Sequence, residues 1–278
     1  MTPSELRVDV CIIGAGPVGA TLACALVTNG VSVAIVDRSP LPPMEYPEFD
    51  GRAYAIASGS RAFLEQAGVW SALLQKPCPI HDIRVSDGRV GEQASAFFLH
   101  FDHFEGDRGP FGWMVEARSL RVALNAHMHG LSGVQVYAPA SVSIDRMPDS
   151  AVVQIKGGPR IACRLVVGAE GRGSPLREAE GIPVTRITYR QSGIVCAVAH
   201  EFPHHNAALE HFLPSGPFAQ LPMSGIESEP NISAIVWTER TDLAARIMAL
   251  DEAMRMAGIH VAESPAALGS TMVKALQG

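Results

Sequence analysis

A run of 27 uncharged residues, from Val10 to Val36, constrains the fold of this chain more than any other part of its sequence. The run is long enough for a membrane-spanning helix or for the apolar region of a signal peptide. Three glycines and a proline between positions 14 and 19, followed by the pair Asn29-Gly30, interrupt it. Because such residues break a helix and the preceding segment contains acidic side chains, we favour several short elements over a membrane span.

The run divides into a strand, a turn, a helix and a second strand. Val8 to Ile13 predicts one buried strand and Val31 to Val36 predicts another. Between them, Val18 to Thr28 predicts a helix that Asn29-Gly30 ends. Three residues are expected on one face of that helix: Leu22, Ala25 and Leu26. This order of elements is typical of a βαβ unit with parallel strands.

The turn from Gly14 to Gly19 reads Gly-Ala-Gly-Pro-Val-Gly and fits the G-x-G-x-x-G pattern. The first glycine allows a tight turn, Gly16 lets the backbone approach a pyrophosphate, and Gly19 lets the helix pack on the strand. The helix N-terminus offers unpaired N–H groups to an anion, and Pro17 is tolerated in the first turn. In this context the pattern predicts a dinucleotide-binding site.

An acidic residue follows the second strand at the expected distance. Asp37 lies 23 residues after Gly14, where a carboxylate meets an adenosine ribose hydroxyl group. The adjacent Arg38 is included among the candidate cofactor-binding residues. An unphosphorylated adenosine ribose occurs in both NAD and FAD, so this motif leaves the choice between them open.

Composition excludes several other classes of protein. With 47% hydrophobic residues in 278 positions, the chain can bury the core of one large domain or two ordinary ones, which excludes disorder. The formal net charge of −6 provides no basic surface for nucleic acid. The five cysteines form no CxxC pair and the ten histidines form no metal-binding motif, so we expect neither disulfides nor a metal site.

Two later segments resemble flavoprotein motifs. Positions 50–57 read Asp-Gly-Arg-Ala-Tyr-Ala-Ile-Ala, and positions 164–177 read Arg-Leu-Val-Val-Gly-Ala-Glu-Gly-Arg-Gly-Ser-Pro-Leu-Arg. At these residues the chain resembles the class A flavoprotein monooxygenases of para-hydroxybenzoate hydroxylase-like fold, and within them the ubiquinone-biosynthesis hydroxylase family. Other segments are similar to that family in its order and spacing: 111–116, 189–191, 198–201, 210–217 and 221–222. The resemblance extends from Val8 to about Asp251.

The resemblance implies an α/β fold, in which a Rossmann-like FAD-binding domain is interrupted by a smaller, mainly antiparallel β-sheet substrate domain. We therefore expect the FAD-binding domain at residues 1–77 and 106–180, and the substrate domain at residues 78–105 and 181–278. Strands of the substrate sheet are expected at 80–85, 96–101, 185–200, 208–213, 218–221 and 232–237. A terminal helix is expected from Thr241 to Ala257.

The resemblance assigns the pyrophosphate of FAD to the glycine-rich turn and the adenosine ribose to Asp37. It places Arg52 near the pyrophosphate and the flavin ring system. The planar guanidinium of an arginine suits phosphate, although an ordinary surface arginine is the alternative.

The same resemblance implies three further cofactor contacts. Arg118 or Arg121 would reach the flavin from the start of a helix. The equal alternative for both arginines is a place on the solvated face of that helix. Glu170 stands where the family's second fingerprint has Asp, so its longer side chain would take that acidic role. Gly171 would permit close approach to the cofactor.

The function implied is FAD-dependent hydroxylation of the aromatic ring of a polyprenylated phenol in ubiquinone biosynthesis, using NAD(P)H and O2. The resemblance leaves the catalytic residues unknown. The expected partner is an aromatic substrate with a polyprenyl tail, and the expected location is cytoplasmic. Peripheral contact with the inner membrane or with a quinone-synthesis complex, and a homo-oligomeric state, stay open.

The family's third fingerprint, Gly-Asp-Ala-Ala-His, has no counterpart after the substrate domain. We therefore expect a C-terminal truncation that removes part of the FAD-binding domain. One alternative is a catalytically incomplete flavoprotein-like subunit that binds a partner or a lipid without turnover. Another is an NAD-dependent dehydrogenase that uses the first motif alone, which the matches at Arg52 and Glu170 disfavour.

Overall fold

The computed structural model of the chain describes residues 5–41, 52–73, 76–89, 91, 95, 97–106, 109–226 and 229–256. The strands are β1 (Glu5–Ile13), β2 (Val33–Val36), β3 (Ala53–Ala57), β4 (Cys78–Ile80), β5 (Asp82–Asp87), β6 (Leu99–Asp102), β7 (Gly112–Glu116), β8 (Val134–Tyr137), β9 (Val142–Met147), β10 (Ser150–Ile155), β11 (Arg160–Gly168), β12 (Gln191–Ala199), β13 (Ala207–Leu213), β14 (Gly216–Ile226) and β15 (Glu229–Arg240). The α-helices are α1 (Pro17–Thr28), α2 (Ser58–Gln66), α3 (Ala117–Gly130), α4 (Pro175–Ala179) and α5 (Thr241–Met256). Short 3-10 helices lie at Trp70–Ala72 and His103–Gly106.

One of two compact units is built on a six-stranded sheet in the order β8-β2-β1-β11-β10-β9. The first four strands in this order, β8, β2, β1 and β11, are parallel to one another. β10 is antiparallel to β11, and β9 is antiparallel to β10. All four residues of β2 are buried, as expected for a parallel strand covered on both faces. The carboxyl ends of β1, β2 and β11 meet at one edge, where parallel sheets bind ligands.

The uncharged run from Val10 to Val36 is divided among β1, α1 and β2, as predicted. The helix ends at Asn29, whose N–H donates to the Leu26 carbonyl oxygen at 3.0 Å, and Gly30 follows with φ +80°. Within the described ranges, no helix has the length and apolar character that a membrane crossing requires.

The buried face of α1 consists of small side chains. Its buried residues are Gly19, Ala20, Thr21, Ala23, Cys24 and Ala25. Of the three residues that were expected on one face, Ala25 is buried, and Leu22 and Leu26 are half-buried. Small residues let the helix approach the sheet closely, and a helix that is apolar all round shows little periodicity from which to assign a face.

The second unit contains a six-stranded sheet in the order β12-β15-β14-β13-β5-β6. Neighbouring strands are antiparallel except β13 and β5, which confirms the mainly antiparallel sheet expected from the sequence. The expected strand at 185–200 is shorter and begins only at Gln191. On one face, Ala244 of α5 packs in a cluster with Ile235 and Trp237.

The opposite face of this sheet packs on a small antiparallel sheet in the order β3-β7-β4. Met114 of β7 and Cys78 of β4 form a buried cluster with Ala208 of β13 and Met223 of β14. The α/β fold with parallel and antiparallel sheets is thus confirmed.

The compact units depart from the expected domain boundaries at two places. β3 and β7 were expected in the FAD-binding domain, but both belong to the second unit. Their register pairs Ala53 with Glu116 and Ala57 with Gly112, and β7 also pairs with β4. The partners in β3 and β7 are more than fifty positions apart, so a local sequence pattern does not record this pairing.

All five cysteines are free thiols, and all except the half-buried Cys196 are buried. Burial raises the pKa of Cys11 to about 12, and the pKa values of Cys24 and Cys78 to about 11. Because the thiolate is the reactive form, we expect DTNB to label at most Cys196 rapidly in the native chain and every cysteine after denaturation. Rapid labelling of several native thiols would contradict this burial.

Candidate functional site

Close backbone packing requires the first and third glycines of the turn. Gly14 has φ +104°, and a Cβ atom there would lie 2.5 Å from the carbonyl oxygen of Ala169. A Cβ atom on Gly19 would lie 1.9 Å from the carbonyl oxygen of Gly14. The Gly14 N–H donates to the Val36 carbonyl oxygen, and the Ala169 N–H donates to that of Ile13, both at 2.7 Å. The turn is therefore fixed between the ends of β2 and β11.

Gly16 is under no such packing constraint. It is the N-cap of α1, and a Cβ atom there would meet no atom of the described part of the chain within 4 Å. Its φ of −62° and ψ of 178° are open to any residue. Gly16 has no side chain, and no capping group among the described residues competes with a ligand for the N–H groups of the first turn. This open approach fits a pyrophosphate at the helix N-terminus.

Asp37, at the end of β2, is held against the glycine-rich turn. Its Oδ2 accepts a hydrogen bond from the Ala15 N–H at 2.6 Å, and its Oδ1 accepts one from the Ser39 N–H at 2.8 Å. An ionised carboxylate has about four lone-pair sites, so each oxygen can accept a further bond from a ribose hydroxyl. The two backbone N–H groups fix the orientation of the carboxylate in advance.

A cleft of about 250 Å³ lies in front of these residues, within the first unit. Its lining includes Gly16, Asp37 and Ser39, together with Arg121 and Asn125 of α3. Arg121 and Asn125 are four residues apart, so they project from the same face of α3. Of Arg118 and Arg121, which the sequence left as alternatives, Arg121 is the one that lines the cleft. Their spacing along the helix is the signal by which the pair could have been found.

Glu170, in the second motif, caps a helix. Its Oε2 accepts hydrogen bonds from the Ser174 Oγ–H at 2.6 Å and from the Leu176 N–H at 2.9 Å. The Ser174 Oγ in turn accepts one from the Arg177 N–H at 3.1 Å, at the N-terminus of α4. The neighbouring Gly171 has φ +78°, a left-handed conformation that favours glycine. In this structure the Glu170 carboxylate thus organises the loop after β11.

Replacing Glu170 with alanine should lower the free energy of unfolding by about 1–2 kcal/mol, because the Ser174 hydroxyl and the Leu176 N–H at the start of α4 lose their hydrogen-bond acceptor. The matched control is Glu178→Ala, on the same helix, where the side chain is exposed and forms an ion pair with Arg186 at 3.8 Å. Urea unfolding of both variants measures the difference. Equal stability of the two variants would show that the Glu170 hydrogen bonds do not hold this loop.

The other predicted residues lie outside the cleft. Arg38 is exposed, Arg118 is half-buried, and neither is a lining residue. Arg52 is exposed in the second unit, where its carbonyl oxygen accepts a hydrogen bond from the Ala117 N–H at 3.0 Å. Asp50 and Gly51 of the same motif lie outside the described residues.

Comparison with known proteins shows the family to which the chain belongs. Residues 7–275 match the family described as FAD binding domain, so the similarity continues past Asp251, where the sequence resemblance was expected to end. The ubiquinone hydroxylase UbiL of Rhodospirillum rubrum is 43% identical over 243 residues, which cover 87% of this chain and 54% of that protein. The 3-demethoxyubiquinol 3-hydroxylase of Escherichia coli is 32% identical over 254 residues, covering 91% of this chain and 61% of that protein. The chain thus spans little more than half the length of these relatives.

Solved structures show the same fold. PqsL of Pseudomonas aeruginosa, described as a probable FAD-dependent monooxygenase, superposes with a TM-score of 0.70 at 21% identity, covering 87% of this chain and 63% of PqsL. The p-nitrophenol 4-monooxygenase PnpA of Pseudomonas putida gives a TM-score of 0.69 at 17% identity, covering 94% of this chain and 64% of PnpA. At such identities the similarity shows the fold alone.

The groups in the cleft fit the adenosine diphosphate half of FAD. The α1 N-terminus with open space at Gly16 suits the pyrophosphate, the Asp37 carboxylate suits the ribose, and the Arg121 guanidinium adds positive charge. These features lie within the 269 residues that match one family model. The chain therefore belongs to the FAD binding domain family of flavoproteins.

Proposed function

We propose that the protein containing this chain is an FAD-dependent monooxygenase that hydroxylates the aromatic ring of a polyprenylated phenol in ubiquinone biosynthesis. NAD(P)H would be the reductant and O2 the source of the inserted oxygen atom. The observation that carries the proposal is the family match over nearly the whole chain together with a relative named ubiquinone hydroxylase at 43% identity. The cleft supports the cofactor part, because its groups match a dinucleotide.

In this proposal the first unit binds the cofactor. The N–H groups in the first turn of α1 donate to the pyrophosphate oxygens, and the Asp37 oxygens accept from the ribose hydroxyls. Arg121, which lines the same cleft, offsets the negative charge of the phosphates. When bound, FAD supplies the redox chemistry and the reaction with O2, and the chain positions it.

The second unit would bind the substrate on its large sheet. An exposed aromatic segment lies at the β6 edge of that sheet, with Phe97 90% and Phe104 79% exposed to solvent. Large apolar side chains of this kind partition into a lipid interface. They support the part of the proposal in which the enzyme contacts a membrane peripherally to collect a polyprenylated substrate.

The test measures coupled turnover. The chain is purified under native conditions, loaded with FAD and mixed with NADH or NADPH, with and without a prenylated phenol. We expect the phenol to stimulate nicotinamide oxidation and to gain one oxygen atom, which carries the heavy isotope when the reaction runs under labelled O2. A chain that takes up no FAD, or that consumes NAD(P)H without hydroxylating any phenol, would contradict the proposal.

A further inference from the structure

The two faces of the six-stranded sheet in the second unit have different coverings, and the strand register shows which residues share a face. Ile235 of β15 lies in a buried cluster with Ala244 of α5, so it faces that helix. Residues that stand opposite one another on neighbouring strands project from the same face of a sheet. Ile235 stands opposite Gln220 of β14, which stands opposite Leu209 of β13. Leu209 stands opposite Arg84 of β5, so Arg84 projects from the α5 side of the sheet.

A second row of side chains crosses the same side of the sheet. Trp237 of β15, which also lies in the α5 cluster, stands opposite Phe218 of β14. Phe218 stands opposite His211 of β13, and His211 stands opposite Ser86 of β5. Ser86 follows Arg84 by two positions, so both side chains project from the same face of β5. A serine, a histidine and an arginine are therefore neighbours on the α5 side.

A cavity of about 760 Å³ opens beside these residues, and we call it the α5-side cavity. Both rows contribute to its lining, which also includes Phe98, just before β6. All of the lining residues belong to the second unit, whereas the FAD cleft belongs to the first. Small-molecule sites typically measure roughly 300–1,000 Å³, so this cavity has the size of a ligand site.

Ser86 and His211 form a hydrogen-bonded pair in the lining. The Ser86 Oγ lies 2.8 Å from the His211 Nδ1. In one tautomer the hydroxyl donates to the ring, which then carries an N–H group at Nε2. In the other tautomer the ring donates to the hydroxyl oxygen, and the hydroxyl hydrogen is left over. The pair therefore offers a ligand one hydrogen-bond donor in either tautomer.

Arg84 gives the cavity its permanent positive charge. The side chain is exposed, and no hydrogen bond or ion pair joins it to another residue that the structure describes. His100, which also lines the cavity, is already paired with the Asp82 carboxylate at 2.8 Å. Glu210 follows Leu209 along β13, and successive side chains of a strand point to opposite faces, so its carboxylate lies on the other side of the sheet from Arg84.

These donors suit a carboxylate. A guanidinium group presents parallel N–H donors that match the two oxygens of a carboxylate, and the serine–histidine pair adds a further donor. A carboxylate carries one negative charge, which the single guanidinium balances. The dianion of a phosphate monoester would require a second cation.

The rest of the lining is apolar. Phe98 is 58% exposed and Leu209 is 38% exposed, although both line the cavity. Phe218 packs edge-on against Trp237, with ring centroids 6.3 Å apart. A sheet face that only meets water carries mainly polar side chains, whereas this cavity combines large apolar groups with donors for an anion. A ligand that matches both has an anionic head and an apolar chain.

We propose that the α5-side cavity binds the anion of a fatty acid. Its carboxylate oxygens accept hydrogen bonds from the Arg84 guanidinium and from the Ser86–His211 pair. Its acyl chain lies against the phenylalanine and leucine side chains of the lining and removes their apolar surface from water. The inference goes beyond the proposed hydroxylase function and does not depend on it, because the cavity is part of the second unit alone.

A binding experiment on the full chain tests the ligand class. Isothermal titration compares decanoate with 1-decanol, which has the same chain without the carboxylate, and with hexanoate, which has the same head on a shorter chain. We expect one decanoate per chain, bound about tenfold or more tightly than 1-decanol, as for a hydrogen bond to a charged group. Decanoate should also bind about tenfold or more tightly than hexanoate, because each further methylene group is buried.

Substitution of Arg84 tests the location. Arg84→Gln should bind decanoate no more tightly than 1-decanol, and Arg84→Lys should retain part of the preference, because it keeps the charge and loses the planar fork. The matched control is Arg89→Gln, an exposed arginine on the same segment that does not line the cavity, which should leave both affinities unchanged. Arg84 is exposed, so urea unfolding should give the same midpoint for Arg84→Gln and the wild type.

Four results would overturn the proposal. These are no binding of decanoate, equal affinity for decanoate and 1-decanol, a preference for decanoate that Arg84→Gln retains, and several decanoate molecules per chain, as in detergent-like adsorption. Competition adds one further check. Acetate at the same concentration should not displace decanoate, and displacement by acetate would show that the site recognises an anion without an acyl chain.

Discussion

Gly19→Ala is expected to lower the free energy of unfolding by about 3 kcal/mol, at the upper end of the range typical of an overpacked site. The new Cβ atom would lie 1.9 Å from the carbonyl oxygen of Gly14. Backbone atoms cannot rotate away as a side chain can, so α1 must move from the sheet. Urea or thermal unfolding, followed by circular dichroism, measures the loss.

Gly16→Ala is the matched control, because it adds the same methyl group three residues earlier. No atom of the residues that the structure describes lies within 4 Å of the new Cβ atom, so the free energy of unfolding should change by less than about 1 kcal/mol. The methyl group instead fills the space where the pyrophosphate approaches, and FAD affinity should fall about tenfold or more. If Gly16→Ala binds FAD as tightly as the wild type, the pyrophosphate does not lie at the N-terminus of α1.

Asp37→Asn should weaken FAD binding about tenfold or more and should also destabilise the chain by roughly 1–3 kcal/mol. The amide has one oxygen in place of two, so it can accept from the Ala15 N–H or the Ser39 N–H but directs its NH2 group at the other donor. The ribose hydroxyls lose a charged acceptor at the same time. Fluorescence titration with FAD and urea unfolding measure the two effects.

Asp9→Asn provides the control for the stability part of that result. Asp9 lies in the middle of β1, and its Oδ2 accepts hydrogen bonds from the Ser32 N–H at 3.0 Å and the Ser32 Oγ–H at 2.6 Å. We expect this variant to lose stability while binding FAD with unchanged affinity. If both variants weaken FAD binding equally, the effect of Asp37 comes from a general loosening of the sheet.

The elements around the candidate cofactor site could be predicted from the sequence because their signals are local. The G-x-G-x-x-G spacing and the distance from Gly14 to Asp37 reflect a turn and two adjacent parallel strands, which lie within forty residues of the chain. The structure has β1, α1 and β2 at these positions. The role of Glu170 also had a local signal, since Ser174 before Pro175 is a typical helix start.

The remaining features depend on contacts that local patterns do not encode. The pairing of β3 with β7 places residues 53–57 in the second unit, although they follow the first βαβ unit in sequence. α1 packs closely on the sheet through its small residues, which are buried more completely than Leu22 and Leu26. The local periodicity of the sequence does not encode this close packing.

Competition for the FAD site tests the central claim most directly. The described residues of the cleft fit the adenosine diphosphate half of FAD, so ADP should displace FAD from the chain, whereas FMN, which lacks the adenosine, should not. The measurement is a fluorescence titration of the native chain with FAD in the presence of each competitor. One saturable FAD site that ADP blocks and FMN leaves untouched is the predicted result. Displacement by FMN but not by ADP, or no saturable FAD binding, would contradict the account.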